Sequence, residues 1–377
     1  TSSGERKCLL PSKYDLNSSI LFQYSHNLFN DVINKEKFGF CVDELKHDSA
    51  GDMSFYIFNL DDDELGIRIE YSNKYSCEFI ERFVESYKLI LHEMIDADEL
   101  SDINYVSDDD LKLLDSINQT EHQLMYGDVL DAFNDNLAKY PDNVLVSMNG
   151  KSYSYAEGAF IADRIAEKLS DLGVKPDDFV GFLTERSQHY MFAVLGILSM
   201  GGVYVPLDDK LPDERIKFML EDTGTKVVIV SDETYERANN LTDDEFILLN
   251  ISDILKEDIG SLSNVSAVLS DLACILYTSG STGVPKGVKI TRKSLINFSK
   301  FYTERYGLGN EDVYGLFTAI GFDVSNFVIG AVLFSGACLN VIPDNIRLNM
   351  AEMNNYFQKH GVTHSFITTQ VGKLFLE

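Results

Sequence analysis

Positive charge is scarce in this sequence. It has 32 lysines and arginines against 60 aspartates and glutamates, so its formal net charge is −28 at pH 7. Nucleic acids and anionic membrane surfaces are bound through basic patches, and the charge balance therefore argues against both as partners. A polyanionic ligand would have to be held by local donors, against the field of the whole chain.

Cysteine pairs, histidine pairs and long apolar runs are also missing. The five cysteines are widely separated without a Cys-x-x-Cys pair, which predicts neither a disulfide framework nor a zinc site. The seven histidines include no adjacent pair. No apolar run approaches the roughly 18 residues of a membrane helix, and the first residues lack a signal peptide's apolar stretch. We therefore expect a cytoplasmic protein without a zinc site, and we assign no metal-ligating residues.

The order of strands and helices predicts three blocks. Residues 1–100 contain three strand-like stretches and an amphipathic helix, which is typical of an α+β unit. Residues 101–123 read as a linker with one short helix, capped near Ser107. From 124 to 377 helices and strands alternate, which predicts an α/β fold with a largely parallel sheet. Within this block Asn149-Gly150 predicts a tight hairpin.

A loop of small residues follows the buried strand predicted at Leu272–Tyr277. Its residues can aim backbone N–H groups and hydroxyls at one anion; they are Thr278, Ser279, Gly280, Ser281, Thr282 and Gly283. Lys286 follows and can add a point charge to a phosphate oxygen. The common phosphate loop continues into a helix, whereas here a strand resumes at Gly287. Taken alone, such a cluster is also compatible with a solvated turn.

The whole string from 272 to 288 resembles the phosphate-binding motif of the adenylate-forming enzymes. These include acyl- and aryl-CoA ligases, luciferases and the adenylation domains of nonribosomal peptide synthetases. The resemblance implies their N-terminal core, with largely parallel sheets flanked by helices, and it implies ATP and Mg²⁺ as cofactors. In that family the loop binds the β- and γ-phosphates. This implies a catalytic role for Lys286, which would hold the phosphates and neutralise their charge. Residues 153–157 and 201–208 resemble two further motifs that serve as scaffold.

Asp323 lies between an aromatic and an apolar residue, so we expect its carboxylate to be partly buried. Two roles fit the residues: an N-cap for a helix beginning near Val324, or a counter-charge for an α-ammonium group. The stretch 322–325 resembles the Phe-Asp-x-Ser motif of amino-acid-activating adenylation domains, which implies the second role. By the same resemblance Val324, Phe327 and Gln370 line the side-chain pocket. Val328 stands where the family usually has glutamate.

The block 1–100 resembles the C-terminal end of a peptide-synthetase condensation domain. That family's His-His-x-x-x-Asp-Gly motif is absent, so condensation chemistry is not expected in this stretch. The Asn-x-Tyr-Gly-Pro-Thr-Glu motif of adenylation domains and their C-terminal subdomain, which carries a catalytic lysine, are absent as well. The resemblance therefore implies a synthetase fragment, and we expect little or no adenylation activity from it alone.

The resemblance also names the partners. They are an amino-acid substrate, a downstream peptidyl carrier protein with its phosphopantetheine arm, and the rest of the synthetase. Two other functions stay open at this point: an acyl- or aryl-CoA ligase with an unrelated N-terminal domain, and a non-catalytic module that keeps only the scaffold.

Overall fold

The computed structural model describes nine segments of the chain: 20–25, 53–59, 65–121, 123–241, 246–262, 264–268, 270–278, 284–347 and 349–376. It divides the chain into two units, residues 1–122 and 123–377. Most of the predicted phosphate loop, Ser279 to Gly283, lies outside the described residues.

The first unit is an α+β arrangement. Its strands are β1 (Ile20–Ser25), β2 (Met53–Asn59) and β3 (Leu65–Tyr71), and its helices are α1 (Cys77–Glu93) and α2 (Asp108–Asn118), with a 3₁₀ turn at Leu100–Asp102. β2 pairs in parallel with β1 and antiparallel with β3. Phe55 of β2 is fully buried and packs on the α1 residues Ile80 and Val84. The Ser107 hydroxyl accepts the Asp110 N–H, 3.2 Å away, and caps α2 as the sequence predicts.

The second unit alternates strands and helices. Its strands are β4 (Val144–Met148), β5 (Lys151–Ser154), β6 (Phe179–Thr184), β7 (Val203–Asp208), β8 (Val227–Val230), β9 (Ile247–Asn250), β10 (Leu272–Thr278), β11 (Lys286–Thr291), β12 (Val313–Leu316), β13 (Cys338–Val341) and β14 (His364–Ser365). Its helices are α3 (Val129–Lys139), α4 (Tyr155–Asp171), α5 (His189–Ser199), α6 (Asp213–Thr223), α7 (Tyr235–Leu241), α8 (Ile251–Ile254), α9 (Arg292–Tyr306), α10 (Asp323–Ser335), α11 (Asp344–Arg347), α12 (Met350–His360) and α13 (Thr369–Leu376).

The strands of the second unit form two sheets in the part of the chain that is described. The larger sheet has the order β11-β10-β7-β6-β8-β9, and the smaller has the order β14-β12-β13-β4-β5. Among the described strands of this unit, only the edge strands β11 and β5 run antiparallel to their neighbours. The predicted α/β fold with largely parallel sheets is therefore confirmed. In such sheets ligands bind beyond the carboxyl ends of the strands.

Two helices fill the space that both sheets share. Every residue of α5 is buried, as expected for a helix that is apolar on all sides. α10 is almost as apolar and contacts β12, β13 and α9. One continuous core includes Tyr204 of the larger sheet and Tyr314 of the smaller, so the two sheets pack as one body.

The hairpin turn that the sequence predicts at Asn149-Gly150 is confirmed. Asn149 and Gly150 have φ values of 51° and 79°, the pair of positive angles that a type I′ hairpin turn requires.

One strand prediction is too long: residues 362–367 form only the two-residue strand His364–Ser365. Only two of its residues pair with β12, His364 with Tyr314 and Ser365 with Gly315.

Candidate active site

The loop predicted to bind phosphate leaves and re-enters the larger sheet at two paired residues. Thr278 ends β10, Lys286 begins β11, and the two face each other in the antiparallel register. Both side chains are exposed. The loop residues Ser279, Gly280, Ser281, Thr282 and Gly283 lie outside the described residues, but the hairpin fixes both ends of the segment. Lys286 is thus held by strand pairing at the base of the loop.

The base of this hairpin is braced by a tyrosine. The Tyr277 hydroxyl donates to Asp222 Oδ2 at the end of α6, 2.5 Å away. Burial and this hydrogen bond raise the pKa of Tyr277. A Cβ placed on Gly287 would lie 3.2 Å from Tyr277 Cζ and 2.9 Å from Ile275 Cγ2, so the ring lies across a position that tolerates only glycine. This contact explains why a glycine follows Lys286 at the second position of β11.

Asp208, the last residue of β7, relates the predicted phosphate loop to the predicted motif that contains Asp323. β7 and β10 are neighbouring parallel strands, with Cys274 paired with Tyr204, and they end at the same edge of the sheet, β7 at Asp208 and β10 at Thr278. On the next strand Thr184 is the register partner of Asp208. A Cβ on Gly321, just before α10, would lie 3.7 Å from the Asp208 Cβ. The segment leading to Asp323 therefore reaches the same edge as the strand leading to the phosphate loop.

Asp208 is itself a carboxylate with restricted solvation. Burial raises its pKa, and the Lys210 backbone N–H, which donates to Asp208 Oδ1 at 2.8 Å, acts in the opposite direction. Sequence reasoning missed this residue as a candidate. Its position, directly after an apolar strand of a parallel sheet, is the signal that could have found it.

Asp323 is the first residue of α10, and Phe322 holds the N-cap position. The helix thus starts one residue earlier than the capping hypothesis placed it. The Asp323 carboxylate still serves this end of the helix, because its Oδ1 accepts the Val324 N–H at 2.8 Å and an acidic group there favours the helix dipole. The expected partial burial is wrong: Asp323 is exposed, and so is Phe322, at 65%. Both precede the turns of α10 that pack into the core.

The residues predicted to line a side-chain pocket lie at two places. Val324 and Phe327 are one turn apart on α10 and share a face, since residues three apart in a helix are neighbours. Phe327 packs against Phe298 of α9, with ring centroids 4.3 Å apart, and both rings are partly exposed. Gln370 lies on α13, and its side chain is exposed. The adjacent Val371 packs in a cluster with Phe317, near the start of the segment that leads to Asp323.

A partly buried acidic group, Glu185, lies just after β6. His189 Nδ1 lies 3.0 Å from Glu185 Oε1, and the Ser231 hydroxyl donates to Glu185 Oε2 at 2.5 Å. Burial acts to raise the pKa of Glu185, but the contacts with His189 and Ser231 outweigh it and hold the pKa at about 2. Glu185 is therefore ionised throughout the neutral range, and it fixes the ends of β6 and β8 to one another.

A sequence comparison identifies the family to which this arrangement belongs. The family model described as "AMP-binding enzyme" matches residues 133–377, which is more than half of the chain. The chain is a member of the AMP-binding enzyme family. Its fold, with two largely parallel sheets flanked by helices, is that of the N-terminal core of adenylate-forming enzymes.

The curated relatives of this AMP-binding enzyme include large synthases. Bacitracin synthase 1 of Bacillus licheniformis is 34% identical over 328 residues, covering 85% of this chain and 6% of the synthase. Surfactin synthase subunit 1 of Bacillus subtilis (strain 168) is 34% identical over 263 residues, covering 69% of this chain and 7% of the synthase. The chain thus spans less than a tenth of either relative.

Solved structures share the fold. The nonribosomal peptide synthetase FmoA3, in its α-methyl-L-serine-AMP bound form, superposes with a TM-score of 0.75 at 21% identity, covering 87% of this chain and 37% of that one. The N-terminal subdomain of Klebsiella oxytoca NpsA, in complex with 3-hydroxybenzoyl-AMSN, gives a TM-score of 0.57 at 25% identity and covers 69% of this chain and 64% of that one. Within the described segments of our chain, no helix combines the length and apolarity needed to cross a bilayer.

Proposed function

We propose that this chain carries the N-terminal part of an adenylation domain of a nonribosomal peptide synthetase, which activates an amino acid with ATP. The observation that carries the proposal is the meeting of two motifs at Asp208. Thr278, at the start of the phosphate loop, ends the strand next to the one that Asp208 ends, and a Cβ on Gly321, two residues before Asp323, would lie 3.7 Å from the Asp208 Cβ.

In this proposal each predicted residue has one task. Thr278 and the loop from Ser279 to Gly283 bind the β- and γ-phosphates, and Lys286 neutralises charge that develops on them. Asp323 binds the α-ammonium group of the amino acid. Val324, Phe327 and Gln370 line the pocket for its side chain.

The reaction is an adenylyl transfer. A carboxylate oxygen of the amino acid attacks the α-phosphorus of ATP, the bond from that phosphorus to the bridging oxygen of the β-phosphate breaks, and pyrophosphate leaves. The aminoacyl group then passes to the phosphopantetheine thiol of a downstream carrier protein, forming a thioester and releasing AMP. The contributions of this chain are positioning and charge neutralisation.

Mg²⁺ fits this edge of the sheet by donor chemistry. It prefers oxygen ligands and is commonly bound through one or two carboxylates together with substrate phosphates. The Asp208 carboxylate and the Thr278 hydroxyl lie at adjacent strand ends and are donors of that kind. Bound there, the ion would neutralise phosphate charge. Within the described residues, no cluster of three or more histidine, cysteine or acidic side chains forms a metal site without substrate.

The first unit is assigned by the same proposal. We infer that residues 1–100 are the C-terminal end of a condensation domain and that residues 101–123 link it to the adenylation core at 124–377. The match to bacitracin synthase 1 supports this inference, because it covers 85% of the chain, more than the second unit alone contains.

Amino-acid-dependent exchange of pyrophosphate into ATP tests the proposal. The full-length synthetase should exchange with one or a few amino acids, and the 377-residue chain alone should exchange little or not at all. Measurable exchange by the chain alone would contradict the fragment hypothesis. The substrate panel should include aryl and acyl acids, because the NpsA structure carries a 3-hydroxybenzoyl analogue. Exchange with these acids only would indicate an acyl- or aryl-CoA ligase, and absence of ATP binding would indicate a scaffold module.

A further inference from the structure

A buried arginine joins the two sheets of the second unit at the carboxyl ends of their strands. Arg186 lies two residues after β6 of the larger sheet, and its side chain is 6% exposed. Its guanidinium donates to the carbonyl of Leu316 at 2.6 Å and to the carbonyl of Ile342. Its Nε donates to Asp344 Oδ1 at 3.2 Å. All three partners belong to the smaller sheet or to the segment that follows it.

A second arginine, Arg347, binds the carbonyl of Phe317, the residue after Leu316. Arg347 donates from Nε to the same Asp344 Oδ1 at 3.0 Å and from Nη1 to the Phe317 carbonyl at 3.2 Å. We call Arg186, Asp344 and Arg347 the arginine clamp. The clamp holds the carbonyls of Leu316 and Phe317, which are consecutive. These two residues begin the segment 316–322, which leads directly into Asp323.

The far end of this segment is held differently, by α10 itself. The Ser325 hydroxyl donates to the Ala319 carbonyl at 2.5 Å, and the Asn326 amide donates to the Phe322 carbonyl at 2.9 Å. Asn326 is in turn fixed by the Tyr190 hydroxyl, 3.0 Å from its Oδ1. These bonds shape the segment against α10 and α5. The first residues of the segment contact a residue that follows the larger sheet's β6 through Arg186, which donates to the Leu316 carbonyl.

We propose that Arg186 is a positioning residue that sets Asp323 relative to the strand that carries the phosphate loop. The connection runs from Arg186 through β6 and β7 to β10, whose last residue is Thr278. The inference rests on the proposed function and adds a residue to it. Arginine suits the role because its planar fork donates to several acceptors at once, whereas a lysine at the same place supplies a single flexible ammonium group.

The test compares two buried arginines in the full-length synthetase. Arg292 is a matched control: its side chain is 4% exposed, it pairs with Asp128 at 2.8 Å, and it donates to the Leu198 carbonyl at 2.6 Å. Arg292 also donates to the Leu272 carbonyl, at the start of β10 and away from the Asp323 segment. Arg186→Lys should raise KM for the amino acid by roughly 10-fold or more, since small displacements of a binding group are costly. KM for ATP should change less than about twofold.

Arg292→Lys should lower the melting temperature about as much as Arg186→Lys does. It should leave KM for the amino acid and KM for ATP within about twofold of wild type. Asp344→Asn provides a milder variant should Arg186→Lys not fold, because Asp344 is 46% exposed. It should raise KM for the amino acid by about threefold, again without changing that for ATP. Equal changes in both KM values, or a rise in the control as large as in Arg186→Lys, would overturn the proposal.

A second readout separates this inference from the proposed function. Backbone amide exchange over residues 316–323 should be faster in Arg186→Lys than in wild type, and unchanged in Arg292→Lys. This measurement needs no catalysis. If the wild-type synthetase shows no amino-acid-dependent exchange of pyrophosphate, the proposed function fails while the clamp is still tested. If amide exchange over 316–323 is the same in wild type and Arg186→Lys, the clamp does not position the segment.

Discussion

Replacing Glu185 by glutamine should remove a part of the stability that depends on pH. The folded protein holds the pKa of Glu185 at about 2, against 4.5 for an ordinary glutamate, through His189 and Ser231. A carboxyl group whose pKa is lower in the folded state stabilises that state fully above its unfolded pKa. The contribution is lost as the pH falls through the folded pKa.

The size of this contribution follows from the gap between the two pKa values. The gap from 4.5 to about 2 corresponds to about 3 kcal/mol. The Glu185 side chain is 29% exposed, so screening by solvent reduces our expectation to about 2 kcal/mol. Glu185→Gln should therefore differ most from wild type near pH 6. More than half of the pH-dependent difference should be gone by about pH 3.

Urea unfolding of wild type and Glu185→Gln at several values between pH 6 and pH 3 measures the effect. Glu221, which is exposed, provides the control: Glu221→Gln should change the free energy of unfolding by less than about 0.5 kcal/mol at each pH. Ser231→Ala should reproduce part of the effect because it removes one donor to the Glu185 carboxylate. A difference between wild type and Glu185→Gln that stays constant over this range would refute the reasoning.

Two predictions concern the site in the full-length synthetase. Lys286→Ala should slow adenylate formation by roughly 10²-fold at saturating ATP, whereas Lys289→Ala, an exposed lysine on the same strand, should not. Unchanged turnover in Lys286→Ala would remove that lysine from the mechanism. Phe327→Ala should shift the amino-acid preference towards larger side chains by roughly tenfold in kcat/KM, because it removes one ring of a closely packed, tilted pair. The control Phe301→Ala alters a ring that is 57% exposed, and an equal shift there would contradict a specific role for Phe327.

Much of the fold could be predicted because its causes are local in sequence. The positive-φ turn at Asn149-Gly150 depends on two adjacent residues, and the cap at Ser107 depends on its own hydroxyl. The strand at Leu272–Thr278 is marked by its apolar run. Such features are set by residues only a few positions apart. Periodicity could not show, however, that β4 pairs with β13, which follows it by almost two hundred residues.

The site was predictable only as far as its motifs are contiguous. The motifs at 278–286 and 322–325 identify their own residues, but Asp208 joins them only through strand register and the approach of Gly321. Arg186 was missed because its partners, Leu316 and Ile342, lie more than a hundred residues away in the chain. The burial of Asp323 was wrongly predicted from its apolar sequence neighbours. Its exposure depends on where α10 begins, and a helix start is among the least certain features of a sequence reading.

The central claim, that Asp323 recognises the ammonium group of an amino acid, is tested most directly by Asp323→Asn in the full-length synthetase. Asparagine keeps an oxygen that can accept the Val324 N–H but loses the negative charge. Because Asp323 is exposed, we expect the low end of the range for such pairs, which is about 2 kcal/mol or a roughly 30-fold rise in KM for the amino acid. The melting temperature should fall only slightly, because asparagine loses the interaction with the helix dipole but keeps the capping oxygen. An unchanged KM in Asp323→Asn, together with a lowered melting temperature in Asp323→Ala, would assign this carboxylate to helix capping alone.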